Sequence, residues 1–142
     1  MGPLAPGEAP VATTVLVRRY RCRACAAVVV VGPAGLVPRR WYGGGAIAAA
    51  LARYSRGETS AAVRAATSPS TVVGHSAHER WITLTRWIDA AQTGQLFSVA
   101  GVRVKSRRQV AEQVAIALAA RAGRQFGDDL VAKAFEGAAI AA

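Results

Sequence analysis

Cys22 and Cys25 are the two cysteines of the chain, and the spacing Cys22-Arg23-Ala24-Cys25 is one that thiolates use either to grip a soft metal or to exchange a disulfide. Tetrahedral zinc needs four ligands. The only imidazoles are His75 and His78, about one helical turn apart but about fifty residues downstream, so a four-ligand site would have to join two distant elements. A redox pair of this spacing belongs at a helix N-terminus after a strand, whereas here basic and β-branched residues flank both cysteines. The readings left open are a half-site without stoichiometric metal and a zinc site that draws in the histidines. No cofactor is expected apart from zinc, for which Cys22 and Cys25 are the candidate ligands.

The second kind of chemistry is phosphate binding. The chain carries 18 Lys and Arg against 8 Asp and Glu, a formal net charge of +10, and no acidic residue lies between Glu8 and Glu58. Within that gap stand Arg18, Arg19, Arg21, Arg23, Arg39, Arg40 and Arg53, with Arg64 soon after. Arginine as a mere default surface residue would be interspersed with carboxylates; a field without them suits a polyanion backbone. Ser68, Ser70 and Thr71, with His75 beyond, place hydroxyls and an imidazole where they could meet phosphates or base edges.

Enzyme signatures are missing. The sequence has no P-loop and no G-x-S-x-G elbow, and its few carboxylates fall at helix starts or isolated positions rather than as a two-metal set. Gly43, Gly44 and Gly45 make a lone glycine run at a helix entry, which reads as a hinge before an anion site. No apolar run is long enough to span a bilayer, and the N-terminus has no secretory pattern, so a cytoplasmic, reducing compartment is the expectation.

These residues need elements to position them. Residues 1–10, rich in Gly and Pro, read as a disordered lead. Val11 to Val17 and Val28 to Val31 are β-branched runs that predict two antiparallel strands around the cysteines, and Leu36-Val37 predicts a short third. Ile47, Leu51 and Tyr54 are spaced for a helix that Gly57 stops, Thr59 or Ser60 caps a second, and Ser70 to Gly74 predicts a short third. Trp81, Leu84, Trp87, Ile88 and Ala91 stripe a helix over 76–92. Phe97, Val99, Val102 and Val104 predict an extended connection. Ser106 opens a helix to Ala122 with Val110, Val114 and Leu118 on one side, and a last helix spans about Asp128 to Ala138. The span from Ala46 to Gly74 fits a helix-turn-helix, with Ala62 and Ala66 allowing close contact, and fits an Ala-rich bundle equally well.

The order RRYRCRAC, a β-branched run, Pro38-Arg39-Arg40-Trp41-Tyr42, AIAAALARY and the segment Ser60-Ala61-Ala62-Val63-Arg64 resembles the zinc-ribbon plus helix-turn-helix N-terminal region of bacterial transposases and related proteins. It covers Arg18 to Gly74, about two fifths of the chain. The resemblance implies DNA binding, with the ribbon as a phosphate- or protein-contacting platform and the short third helix in the major groove. Cys22 and Cys25 match the second metal knuckle, and Ser70, Thr71, Gly74 and His75 fall where recognition residues lie. The first knuckle is missing, Ala26 replaces the glycine that usually follows the second cysteine, and no acidic triad for strand transfer appears.

The sequence thus predicts an α+β, mainly α fold: a short N-terminal β-hairpin or degenerate zinc ribbon (11–42), a helix-turn-helix region with a Trp-rich helix (43–94), and a C-terminal helical extension (95–142). The expected function is non-catalytic binding of duplex DNA, with DNA as partner, a homodimer as the candidate assembly, and neither a membrane nor a small-molecule substrate involved. The DNA-binding set is Arg18, Arg19, Arg21, Arg39, Arg40, Arg53, Arg64, Ser68, Ser70, Thr71 and His75. The alternatives are a helical protein-interaction or oligomerisation protein, whose contact surface would be the Trp81–Ile88 stripe and the Val110–Leu118 helix, and an inactive transposase fragment.

Overall fold

The computed structural model describes residues 1–33, 35–37, 40–77, 79–99, 106–123 and 127–140. It is mainly helical with one two-stranded antiparallel sheet: β1 (Arg18–Arg21), β2 (Val28–Val31), α1 (Gly44–Ser55), α2 (Ser60–Thr67), a 3₁₀ turn (His75–Ala77), α3 (Ile82–Gln92), α4 (Arg107–Ala119) and α5 (Leu130–Ile140). No helix among the described residues is long and apolar enough to cross a membrane.

Helix α1 is the centre. Alanine is the strongest helix former, and a helix that is apolar all round can only be stable when enclosed. Gly44 to Ala52 are all buried, and α4 and α5 pack against α1 and against each other. The helices after Gln95 therefore share the core of α1 and α3. Small residues allow the close approach: a Cβ on Gly45 would lie 2.8 Å from the Phe135 ring, and a Cβ on Gly137 would overlap the Leu118 carbonyl.

The caps and ties follow the chemistry of each junction. Thr59 Oγ1 accepts the Ala62 N–H at 3.2 Å and starts α2. Asp129 Oδ1 accepts the Val131 N–H at 3.0 Å at the start of α5 and also takes Arg56 at 3.0 Å, tying α5 to the end of α1. Arg108 at the start of α4 donates to the Tyr54 carbonyl at 2.7 Å and lies 4.7 Å over the Tyr54 ring.

Several expectations shift. Residues 12–17 are exposed coil after an isolated bridge at Val11, and β1 lies after them, on Arg18–Arg21; a β-branched run without a partner strand or a core to cover has nothing to hold it extended. Leu36 forms an isolated bridge with Gly43 rather than a third strand. The lead is anchored, with Gly2 bridging Val11 and the Met1 amino group donating to the Trp41 carbonyl at 2.6 Å. No helix forms over 70–74; among the described residues between α2 and α3 the helical turn is the 3₁₀ turn His75–Ala77. Helix α3 starts at Ile82, after Trp81, whose extended backbone (ψ 99°) turns its indole into an edge-to-face triad with Tyr42 and Trp87. Packing of that large ring outweighs continuation of the helical stripe through 76–81. Helix α4 ends at Ala119 and α5 starts at Leu130, small differences of the kind helix ends show. Residues 100–105, which include Val102 and Val104 of the extended connection, lie outside the described residues.

Gly137→Ala tests the tight crossing. Alanine gains about 1 kcal/mol over glycine in an open helix, so the overlap with Leu118 must reverse the sign, and overpacking predicts a net loss of roughly 1–3 kcal/mol. Urea unfolding measures it, with Glu112→Ala on the exposed face of α4 expected to stay within about 0.5 kcal/mol of the parent.

Candidate nucleic-acid interface

The ribbon pairs Arg18 with Val31, Arg19 with Val30, Tyr20 with Val29 and Arg21 with Val28. Paired residues share a face, so Arg19 and Arg21 stand with Val28 and Val30, and Arg18 and Tyr20 with Val29 and Val31. Both faces are open: every residue of both strands is exposed, the four valines at 50–56%. Arginine and valine therefore alternate across an uncovered two-stranded blade.

The cysteines form its tip. The Cys22 N–H donates to the Ala27 carbonyl at 2.8 Å, and the Ala26 N–H donates to the Cys22 carbonyl at 3.1 Å. Ala26 is left-handed, φ 58°, the conformation a glycine adopts without cost. The amides of Cys25 and Ala24 and then the Cys25 thiol hydrogen-bond the Cys22 sulfur and hold its pKa below the ordinary thiol value, against a small opposing effect of burial. Both thiols are free and exposed. Two sulfurs close enough to hydrogen-bond, one already receiving backbone amides, fit two of the four corners of a zinc thiolate site. Among the described residues no group of three or more His, Cys, Asp or Glu is placed to hold a metal; His78 lies outside them, and His75 is 95% exposed, 3.8 Å from Glu79.

The remaining predicted residues divide in two. Arg64, Ser68, Ser70 and Thr71 meet around one open depression of about 270 Å³ at the end of α2, with Ala61, Ala65, Val72 and Ala77. Arg64 donates to the Ala77 carbonyl at 2.6 Å, and Ser68 Oγ accepts from Tyr42 Oη at 3.0 Å and from the Ser70 N–H at 3.3 Å. These bonds shape the loop, leaving Ser70 and Thr71 as its exposed hydroxyls. Arg53 stands elsewhere, in an ion pair with Glu58 at 3.1 Å. Arg39 lies outside the described residues, and Arg40 is exposed beside Trp41.

Charge is sorted by location. On the helical body Arg53, Arg56, Arg107 and Lys133 take Glu58, Asp129, Asp89 and Asp128, while Arg108 and Arg121 donate to backbone carbonyls. Among the described residues Arg18, Arg19, Arg21 and Arg23 have no carboxylate partner. Arg23, which sequence reasoning did not place in the binding set, lines a shallow pocket of about 330 Å³ with Arg21, Cys22 and Ala26. Its position inside the Cys-x-x-Cys turn was the available signal. Arg86 was also missed, because its helix reads as core from the Leu84, Trp87 and Ile88 stripe. Comparison with protein-family models, with curated proteins and with solved structures finds no match to this chain, so its function has to be read from these residues.

Proposed function

We propose that the protein is a non-catalytic DNA-binding protein that grips duplex DNA with the ribbon. One observation carries this reading: among the described residues Arg18, Arg19, Arg21 and Arg23 sit without carboxylate partners on an exposed two-stranded blade, while on the body Glu58, Asp89, Asp128 and Asp129 each pair with a cation of the body. A two-stranded ribbon fits the major groove of B-DNA, about 12 Å wide. There guanidinium groups can straddle phosphates or the O6 and N7 edge of guanine. Ser70 and Thr71, at the mouth of the depression after α2, supply further phosphate donors. Since 70–74 is not helical, the reading places groove recognition on the ribbon rather than on a third helix. The resemblance to transposase N-terminal regions supports the same class of partner and an origin in a mobile element.

The residues named for the interaction reading are enclosed. Leu84, Trp87 and Ile88 are at most 2% exposed, Trp81 is 8% exposed, and Val110, Val114 and Leu118 are at most 1% exposed, all within the chain's own core.

Zinc is part of the proposal as a brace for the tip. Bound there, it would supply a cross-link through Cys22 and Cys25, with its other two ligands coming from outside the described cluster. Such thiols persist in a reducing compartment, which favours the cytoplasm.

Salt titration of a 20-base-pair duplex by fluorescence anisotropy tests the ribbon. Four to six phosphate contacts predict an affinity loss of about 10²- to 10³-fold between 50 and 200 mM salt. Arg19→Ala/Arg21→Ala should weaken binding across sequences and flatten the log–log slope by about 2; a flat response in the parent protein would sink the reading.

Thiol chemistry tests the tip. A pKa lowered in the folded state means more thiolate at a given pH, so the rate of Cys22 alkylation by iodoacetamide should reach half its maximum at lower pH in the native chain than in the urea-unfolded chain. Peptide mass spectrometry reads the site, and coincident profiles would refute the hydrogen-bonded geometry.

A further inference from the structure

Trp41 is 82% exposed, whereas Trp81 and Trp87 are 8% and 2% exposed. Tryptophan is highly buried on average, and an exposed indole is one of the costlier surfaces a chain can present to water. Its exposure does not come from an unanchored loop. The Trp41 carbonyl accepts the Met1 amino group at 2.6 Å, the Gly43 N–H donates to the Met1 carbonyl at 3.2 Å, and the Gly44 N–H donates to the Gly35 carbonyl at 2.8 Å. The next side chain, Tyr42, is buried and hydrogen-bonded to Ser68. The backbone is pinned on both sides of a side chain that is left in solvent.

Beside the indole is an open pocket of about 270 Å³ lined by Arg40, Trp41, Tyr42, Thr83, Arg86 and Trp87. Tyr42 and Trp87 are mutually packed at 5.0 Å and give it a rigid aromatic floor. Thr83 and Arg86, three residues apart on α3, form the far wall, and Arg40 the near one. The lining contains no carboxylate, and neither Arg40 nor Arg86 has an ion pair among the described residues. An aromatic face, two guanidinium groups and a hydroxyl within one pocket match the chemistry of a nucleotide: base on indole, phosphates on arginine, base edge or sugar on Thr83.

We propose that Trp41, with Arg40 and Arg86, is a stacking site for an unpaired nucleotide of DNA. A base within a duplex has both faces covered by its neighbours, so only an unstacked base, at a single-stranded stretch, a frayed end or a distorted step, offers its face to the indole. The proposal rests on the nucleic-acid reading above but uses a different surface and a different state of the DNA. The ribbon holds duplex, and the indole holds what has left it.

The test is tryptophan fluorescence of the full chain titrated with a 12-nucleotide oligothymidylate and, separately, a blunt 12-base-pair duplex. Trp41 is the exposed indole and Trp87 lies in the floor of the same pocket, so the oligothymidylate should quench strongly and the duplex weakly. By anisotropy, Trp41→Ala should weaken the oligothymidylate by about 5- to 100-fold, far more than it weakens the duplex, and Trp41→Phe should restore most of that affinity. Arg86→Ala should lower the salt slope for the oligothymidylate by about 1. Circular dichroism confirms that the variants keep their helix content, as an exposed side chain predicts. Equal loss for both DNAs in Trp41→Ala, unchanged oligothymidylate binding in that variant, or equal quenching by inorganic polyphosphate would each overturn the stacking site. The two readings also fail separately: binding of oligothymidylate without duplex removes the ribbon's role and keeps this one, and the reverse removes only this one.

Discussion

The close packing of α1 against α4 and α5 is the constraint on which the rest depends. An alanine-rich helix has little surface per residue, so each partner must come near to bury enough of it, and dispersion between backbones replaces the large side chains that most cores use. Gly45 and Gly137 make that approach possible, at the Phe135 ring and the Leu118 carbonyl. The few large groups are concentrated at one end, where Tyr42, Trp81 and Trp87 interlock edge to face at 5.0–5.9 Å. With a core this compact, the loop from Arg40 to Gly43 is fixed by what it touches, and Trp41, between two anchored neighbours, is directed outward.

The same compactness sets where charge goes. Eight carboxylates are too few for 18 cations, and several on the body are spent within it: Asp129 on Arg56, Glu58 on Arg53, Asp89 on Arg107. Exposed pairs of this kind contribute little stability, but they cancel field locally. Among the described residues the ribbon, with its four neighbouring arginines, and the Arg40–Arg86 pocket carry cations without ion-pair partners. Positive charge is thus gathered on two exposed features, a placement that suits a polyanion partner.

Strong periodicity was readable from the sequence wherever burial enforced it. The Trp81–Ile88 stripe and the Val110–Leu118 side of α4 follow from residue spacing, because a half-buried element leaves its period in the chain, whereas the Thr59 cap and β2 follow from residue type. Two of the errors share a cause. Val11 to Val17 and Ser70 to Gly74 carry the local preferences of a strand and a capped helix, yet nothing packs on either, and propensity without burial does not hold an element. Conversely, Arg18–Arg21 became a strand with poor local credentials, since pairing with Val28–Val31 through the Cys22–Ala27 turn supplied its partner. The pocket beside Trp41 was unreadable for another reason: Arg40 and Arg86 lie more than forty residues apart, and only the docking of α3 on the segment before α1 joins them.

The tip of the ribbon connects these themes. A left-handed alanine costs about 1–2 kcal/mol, and on an exposed hairpin that cost has no core burial to offset it. Ala26 nevertheless keeps φ 58°, because the Cys22–Ala27 and Ala26–Cys22 backbone bonds close the turn in the form that aims the Ala24 and Cys25 amides at the Cys22 sulfur. Such amides stabilise a thiolate and do little for a neutral thiol. The turn thus aims its amides at the Cys22 sulfur and lowers its pKa, and it sets Arg21 and Arg23 at the leading end of the blade.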